Sequence, residues 1–447
     1  MPLTKHLIVV IGVLVPMVAF AQDPRPPVFL EHADSVLGTG TQESGIRRYE
    51  GNVRFRQGNV TVRSDRATEY IGANSVDLMG RVVVRQGDME LRAPIVSYDG
   101  NVALATARGG VYVRDGARTI RAQEGVYSPE LRRATFTRDV LAHDDSVIVG
   151  SDTMTLHRTS RVIEAWGRVV MSTVDSATWI VGDSVVHDPN VKQVVVFGNA
   201  RLWSKERSQR EENSVTDMAS PDTMSVDTLY LESDTLHLLY QGYVRRWARG
   251  NANLRRGNVA SRSRVLFQDD SLELVTLSGT PILWSDSSQI TGDSIIVYAP
   301  KQRVRKLTSR GAAFMVSRSG SSDDRFDQIS GARIEIDVEQ DTIREVFAQD
   351  DAKSLYFRFE DDDPQGLAQF ASDSIRVTFL QGVPEDIRWL GGVRGEQHPE
   401  NVVAGRELEY RLPGFKWRTD RPLVAPHPES HGGTWRTRVI ESSNEVP

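Results

Sequence analysis

The sequence contains no cysteine. That excludes disulfide staples, cysteine-ligated zinc, iron–sulfur clusters and thiol nucleophiles together. Its nine histidines show no HExxH or similar ligand spacing, so neither a metal nor another cofactor is expected. Basic charge is not in excess: 54 lysines and arginines stand against 60 aspartates and glutamates, a net charge of −6. Nucleic acid is therefore not an expected partner, because phosphate neutralisation needs a basic face. After residue 20 no apolar run is long enough to cross a bilayer as a helix. No stretch carries a capped 3.6-residue period, so helices are not expected to build the fold.

What the chain does have begins at its N-terminus. Lys5 and His6 precede an apolar run from Leu7 to Phe20, followed by Ala19-Phe20-Ala21, an A-x-A pattern. A basic flank, a short apolar stretch and small residues describe a secretory signal peptide over 1–21. Retention of this segment as a membrane anchor is the alternative, although the run is short for a span and contains Pro16. The expected destination is a bacterial periplasm, in solution or associated with the inner or outer membrane.

The second positive feature is a repeat. Alternating segments start at Gly51, Gly80 and Gly109, 29 residues apart each time. A degenerate start lies near Asp139, with others at Gly167, Gly198, Gly250, Gly279 and Gly311 and weaker ones near Ala352 and Gly391. A small residue followed by Asp recurs inside the units, as at Asp65, Asp152, Asp183, Asp234, Asp293 and Asp373. From Asp65 to Gly80, Asp152 to Gly167 and Asp183 to Gly198 the separation is 15. Between these landmarks the period is two: Val53 and Phe55 alternate with Arg54 and Arg56, and Met89 and Leu91 with Glu90 and Arg92. Such alternation means half-buried strands, and Gln57-Gly58, Gln86-Gly87 and Asp115-Gly116 sit where the chain must turn.

The chain thus reads as an all-β protein of about 11 repeats that stack because none can bury its apolar face alone. With each unit advancing roughly 4.8 Å, the body would be about 50–55 Å long, with an open sheet edge at each end. The polar stretch 205–227 reads as a linker between blocks at 31–204 and 228–420, and about 318–330 as a second insertion. From 421 to 447 a disordered tail is expected. The recurrent aspartates read as turn residues that satisfy their own backbone.

Units of the form G-x-V-x-[VF], followed by [AGS]-[DE]-x-[AVIM] and another alternating strand, resemble the OstA-like family. These are periplasmic bridge proteins of lipopolysaccharide transport and the N-terminal domain of its outer-membrane translocon. The resemblance covers most of 45–410, and Leu412 to Pro422 is similar to the closing segment of long members. It implies an elongated antiparallel β-jellyroll, or β-taco, with a lengthwise apolar groove for acyl chains. The implied partners are lipopolysaccharide or lipid A, other OstA-like bridge proteins and an outer-membrane translocon joined by strand-edge pairing, and further copies joined head to tail. The chain is two to three times longer than a simple bridge protein and stops before any barrel, so the translocon itself is not expected.

The expected groove residues are Val53, Phe55, Val60, Val62, Val82, Val84, Met89, Leu91, Val111, Val113, Ile120, Val169, Met171, Trp179 and Val181. The second block adds Ile282, Trp284, Ile290, Phe357 and Val377, with Leu254, Phe314, Leu355, Ile375 and Phe379 beside them. The bland alternative is that they fill a closed core. Mid-sized aliphatics with few aromatics favour a trough. Arg54, Arg56, Arg63, Arg85, Arg92, Arg114 and Arg121 should lie on the outer face, solvated or meeting phosphates. Trp203, Trp247, Trp389 and Trp417 are expected in the core or at the ends. No catalytic residue is assigned. A secreted carbohydrate-active enzyme of the β-helix type would need a carboxylate pair with convergent partners. The paired acids, such as Asp144-Asp145 and Asp269-Asp270, lie in apparent turns instead. A structural or adhesive surface protein is the third reading.

Overall fold

The computed structural model describes residues 28–428, apart from 42, 208–225, 321–323, 362 and 381–382. The expected export segment lies outside the described residues. Among these residues, one antiparallel sheet of 26 strands runs from Phe29 to His398. Strands pair in sequence order: Ile46–Gln57 with Val60–Tyr70, that strand with Ser75–Gln86, and that with Met89–Asp99. The glycines foreseen at turns, Gly58, Gly87 and Gly116, all adopt positive φ at strand ends, where a side chain would be strained.

The repeat has a different meaning from the one expected. Gly51 lies in Ile46–Gln57 and Gly80 in Ser75–Gln86, with a whole strand between them. Each 29-residue unit is therefore two strands, and its length in the stack doubles. About 22 rungs at roughly 4.8 Å give a body on the order of 100 Å long.

Most long strands bend at their middle. Gly80 and Arg81 both adopt left-handed backbone (φ 74° and 42°), as do Gly167 and Arg168 (73° and 46°). The pairing register slips at the same place, between Met79 and Val82 in one case. Two such residues in succession make a bulge that turns the strand through a corner. The recurrent aspartates sit opposite these corners rather than in turns. A Cβ on Gly80 would lie 2.6 Å from Oδ2 of Asp65, so only glycine admits the carboxylate. Arg81 then donates to Asp65 at 2.7 Å and holds its carboxyl below the usual range. Asn199 and Asn251 make the equivalent bonds to Asp183 and Asp234.

The corners divide each rung into two walls. One carries the tight turns at Gly58, Gly87 and Gly116 and is called here the short-turn wall; the other is the long-turn wall. Between them lies a single apolar cluster running from Tyr49 to Val377. The ladder takes in both ends of the polar stretch: Gln193–Arg207 and Val226–Tyr240 pair with each other out to Arg207 opposite Val226. Phe326–Glu339 likewise extends the sheet into the second expected insertion.

The chain does not end with the last strand. After a short helix, Glu400–Val403, residues 410–427 run back over the outer face of the short-turn wall. Gln328 accepts from Leu412 N (2.9 Å), Gln289 clamps Lys416 O and Arg418 N (2.9 Å each), and Trp284 donates to Arg418 O (3.1 Å). Further along, Asp420 pairs with Arg262, and His427 packs against Trp179 and Trp203. The first part of the expected disordered tail is thus docked, and 429–447 lie outside the described residues.

Candidate functional site

The site singled out by the sequence is the seam between the walls, and the register defines what lines it. On the short-turn wall one inner row passes through Phe55, Val62, Val84, Leu91, Val113, Ile120, Ala142, Val149, Met171 and Ile180. It continues through Leu202, Leu231, Leu254, Ser261, Leu283 and Ile290. Val53, Val82, Val111 and Val169 lie deeper, beside the corners, and Val60 and Met89 share the inner face nearer the lip. Facing them, the long-turn wall presents Tyr49, Ala67, Leu78, Val96 and Ala107, and in the last rungs Ile375 and Val377.

The seam is not a trough from end to end. In its middle, Val196, Ala200, Leu202, Leu231, Leu236 and Leu266 expose no surface at all. A side chain with no accessible surface leaves no room beside it even for water, so these rungs are filled by the protein's own atoms. Over the first rungs the seam is looser. Val53 and Val82 at the corner are buried, but Phe55, Val62, Val76, Val84, Met89 and Leu91 are only partly so. Phe136 ends this looser stretch on one side, its ring resting on Gly125, where a Cβ would come within 3.2 Å.

Polar groups close the lips where the looser stretch ends. Arg158 reaches from a long-turn connection across to Gln86 (3.3 Å) on the opposite lip, and its guanidinium lies over Tyr127. Its Nε comes within 3.9 Å of Asp115. Two rungs on, Arg118 and Asp144 (3.6 Å) stand near the buried His187, which bonds Tyr240 through Nε2 at 2.7 Å. Burial keeps the imidazole of His187 below its ordinary pKa and pushes Tyr240 up to about 12. Arg256 spans the lips again to Gln302 at 3.1 Å.

Seven expected groove residues face the other way. Trp179, Val181, Ile282, Trp284 and Phe357 point outward from the short-turn wall, as do Phe314 and Leu355. Trp179 and Trp284 lie in a cross-strand row with Trp203, Tyr230, Gln289, Val316, Gln328 and Leu355. This row is buried because residues 410–427 cover it. The sequence carried a signal for it. Trp179-Ile180-Val181, Ile282-Leu283-Trp284 and Phe314-Met315-Val316 are unbroken apolar runs, as strands buried on both faces carry, but Val82-Val83-Val84 in the first rungs is another, so the run alone does not single out the covered strands. Trp417 packs on Phe326 within the same layer. Trp247 stacks between His237 and Phe267 outside the long-turn wall, and Trp389 packs on Phe370 near the far end.

The paired acids converge on no cleft. Asp144 accepts from Ser146 and Val147 in its own turn, and Asp269 is held by Ser271 and Arg245. Among the described residues no group of three or more His, Asp or Glu could hold a metal ion, and no helix is long and apolar enough to cross a membrane.

Residues 25–130 match the family model of the OstA-like proteins; this stretch is OstA-like. No curated protein matches the chain. Among solved structures, the chain is similar to LptH, described as the LptA-homologous periplasmic component of the conserved lipopolysaccharide transport device from Pseudomonas aeruginosa. The identity is 16%, the match covers 32% of this chain and 95% of LptH, and the TM-score is 0.25.

Proposed function

We propose that this protein is a non-enzymatic lipid carrier of outer-membrane biogenesis, which shelters the acyl chains of lipopolysaccharide in the first rungs of its seam. One coincidence supports the reading. Within the OstA-like stretch, 25–130, the inner side chains of Phe55, Val62, Val84, Met89 and Leu91 are partly exposed, whereas those of Leu202, Leu231 and Leu266 in the middle rungs are not. Hydrocarbon burial is worth roughly 0.8 kcal/mol per CH₂, so a wall of Val, Leu and Met can hold several chains without a pocket shaped to any one of them. The site of action is the periplasm, reached through the segment 1–21. The unpaired edges of the first and last rungs serve to join neighbouring carriers or the outer-membrane translocon by strand addition.

The filled middle rungs, around Leu202, Leu231 and Leu266, have a different part in this scheme. With no space for a guest, they act as a rigid spacer that carries the loading end.

The test places a photo-reactive residue at Leu91 or Met89 and, separately, at Leu202, in cells that make lipopolysaccharide. Adducts at the first two positions and none at the third are expected. Equal adducts at all three, or none at any, would refute the assignment.

A further inference from the structure

The outer face of the short-turn wall changes character along one row of cross-strand neighbours. From Trp179 onward the row is aromatic and covered by the chain's own C-terminal segment. Over the first rungs no other described segment covers it, and it is basic. There the outer positions form two rows, Arg54, Arg63, Val83, Arg92, Tyr112, Arg121 and Arg56, Thr61, Arg85, Glu90, Arg114, Thr119. Seven arginines thus share one face with two acids, Glu90 and Glu31, in a chain whose net charge is −6.

Glu90 is shared between Arg85 (2.7 Å) and Arg92 (2.6 Å), and Arg56 meets Glu31 of the first rung. Arg54, Arg63 and Arg114 are exposed and have no acidic partner among the described residues. Arg54 stands directly opposite Arg63, an arrangement that costs stability within a sheet. Folding alone gives no reason to keep it. Phe29, opposite Arg56 in the same row, leaves 54% of its surface exposed.

We propose that this face docks on an anionic bilayer surface, with the guanidinium groups on lipid phosphates and Phe29 at the headgroup level. The shape favours a membrane over a single phosphorylated ligand. The charges are spread over one sheet face at strand spacing across six strands rather than gathered at one point, and arginine forks suit phosphate oxygens. The docked wall is also the wall whose other side lines the looser seam, so loading would take place beside the membrane. The proposal is independent of what the seam carries.

The test is flotation of the exported full chain with vesicles of phosphatidylcholine alone or mixed three to one with phosphatidylglycerol. The readout is the ratio of binding to the two. At about 50 mM salt a ratio of at least about ten is expected, falling towards one at about 500 mM as screening shortens the reach of the charges. The triple variant Arg54→Glu, Arg63→Glu, Arg114→Glu should bring the ratio near one with an unchanged denaturation midpoint, and Arg344→Glu, on a distant rung, should not. Should the triple variant misfold, Arg54→Gln with Arg114→Gln should lower the ratio several-fold. A ratio near one for the native chain, no response to these substitutions, or displacement by inorganic phosphate at constant ionic strength would overturn the proposal.

Discussion

Trp203 donates its indole N–H to the carbonyl of Ala425, 222 residues further along the chain, at 3.3 Å. Ladder contacts are otherwise between neighbours in sequence, so this bond and those of Trp284, Gln289 and Gln328 tie distant rungs through one segment. Removing residues 412–447 uncovers the aromatic row. A loss of roughly 3 kcal/mol or more is expected from the apolar area exposed, together with a red shift of tryptophan emission. Far-ultraviolet circular dichroism should keep its strand signature, and an unchanged emission maximum would contradict the packing described.

Gly80 should tolerate no side chain. Its φ of 74° and the Asp65 carboxylate 2.6 Å from a would-be Cβ predict that Gly80→Ala costs about 2–3 kcal/mol in chemical denaturation. Gly87→Ala is the control, since that position has positive φ but open space, and about 1 kcal/mol is expected.

The looser and filled parts of the seam should respond differently to charge. Leu91→Asp leaves a carboxylate that can reach water at the lip, so the fold should survive while lipid adducts at Met89 disappear. Leu202→Asp buries its charge among side chains with no exposed surface and should cost 4 kcal/mol or more, unfolding the neighbouring rungs. Thermal melts of the two variants, with the adduct assay on the first, check both outcomes.

Asp327 introduces a pH dependence of unusual sign. Burial pushes its carboxyl up to about 6, even though Phe357 N donates to it at 2.9 Å. The native state therefore holds its proton more tightly than the unfolded chain, where the value is 3.8. Stability from this group is full below about pH 4, is lost as the pH rises to about 6, and stays level above. Asp327→Asn keeps an acceptor for Phe357 and removes the charge, so it should add up to about 3 kcal/mol at pH 7 and flatten the profile between pH 4 and 6. Denaturation midpoints across that range provide the measurement.

The alternation over 53–63 and 84–92 was enough to identify strands, their turns and which side chains face inward, because there the outer face of the short-turn wall is polar. Where a second layer covers the outer face, alternation vanishes, and parity could not tell Ile180 from Trp179 or Leu283 from Trp284. The covering segment itself has no period to detect: Leu412 to Asp420 is held by glutamine and tryptophan side chains reaching its backbone rather than by its own pattern. The aspartate-to-glycine spacing was visible, but its use was not, since the contact joins adjacent strands at a bend that no local signal announces. The looseness of the first rungs and the filling of the later ones depend on how the walls approach each other, which the identities of Val, Leu and Met do not encode.

The corner contact has a consequence for how such a chain finds its fold. Hairpins this alike invite mispairing, with one unit taking a place meant for another or shifting by a residue. Asp65 can settle only where the partner strand offers a residue without a side chain, and Gly80 accepts its left-handed twist at that one place. A hairpin shifted by a residue would press the carboxylate against a β-carbon here, and equally at the pairs Asp152–Gly167, Asp183–Gly198 and Asp293–Gly311, so such a slip is rejected. The clips thus act as a proofreading ruler, fixing the register of each clipped strand against its neighbour in a molecule made of near-copies of itself.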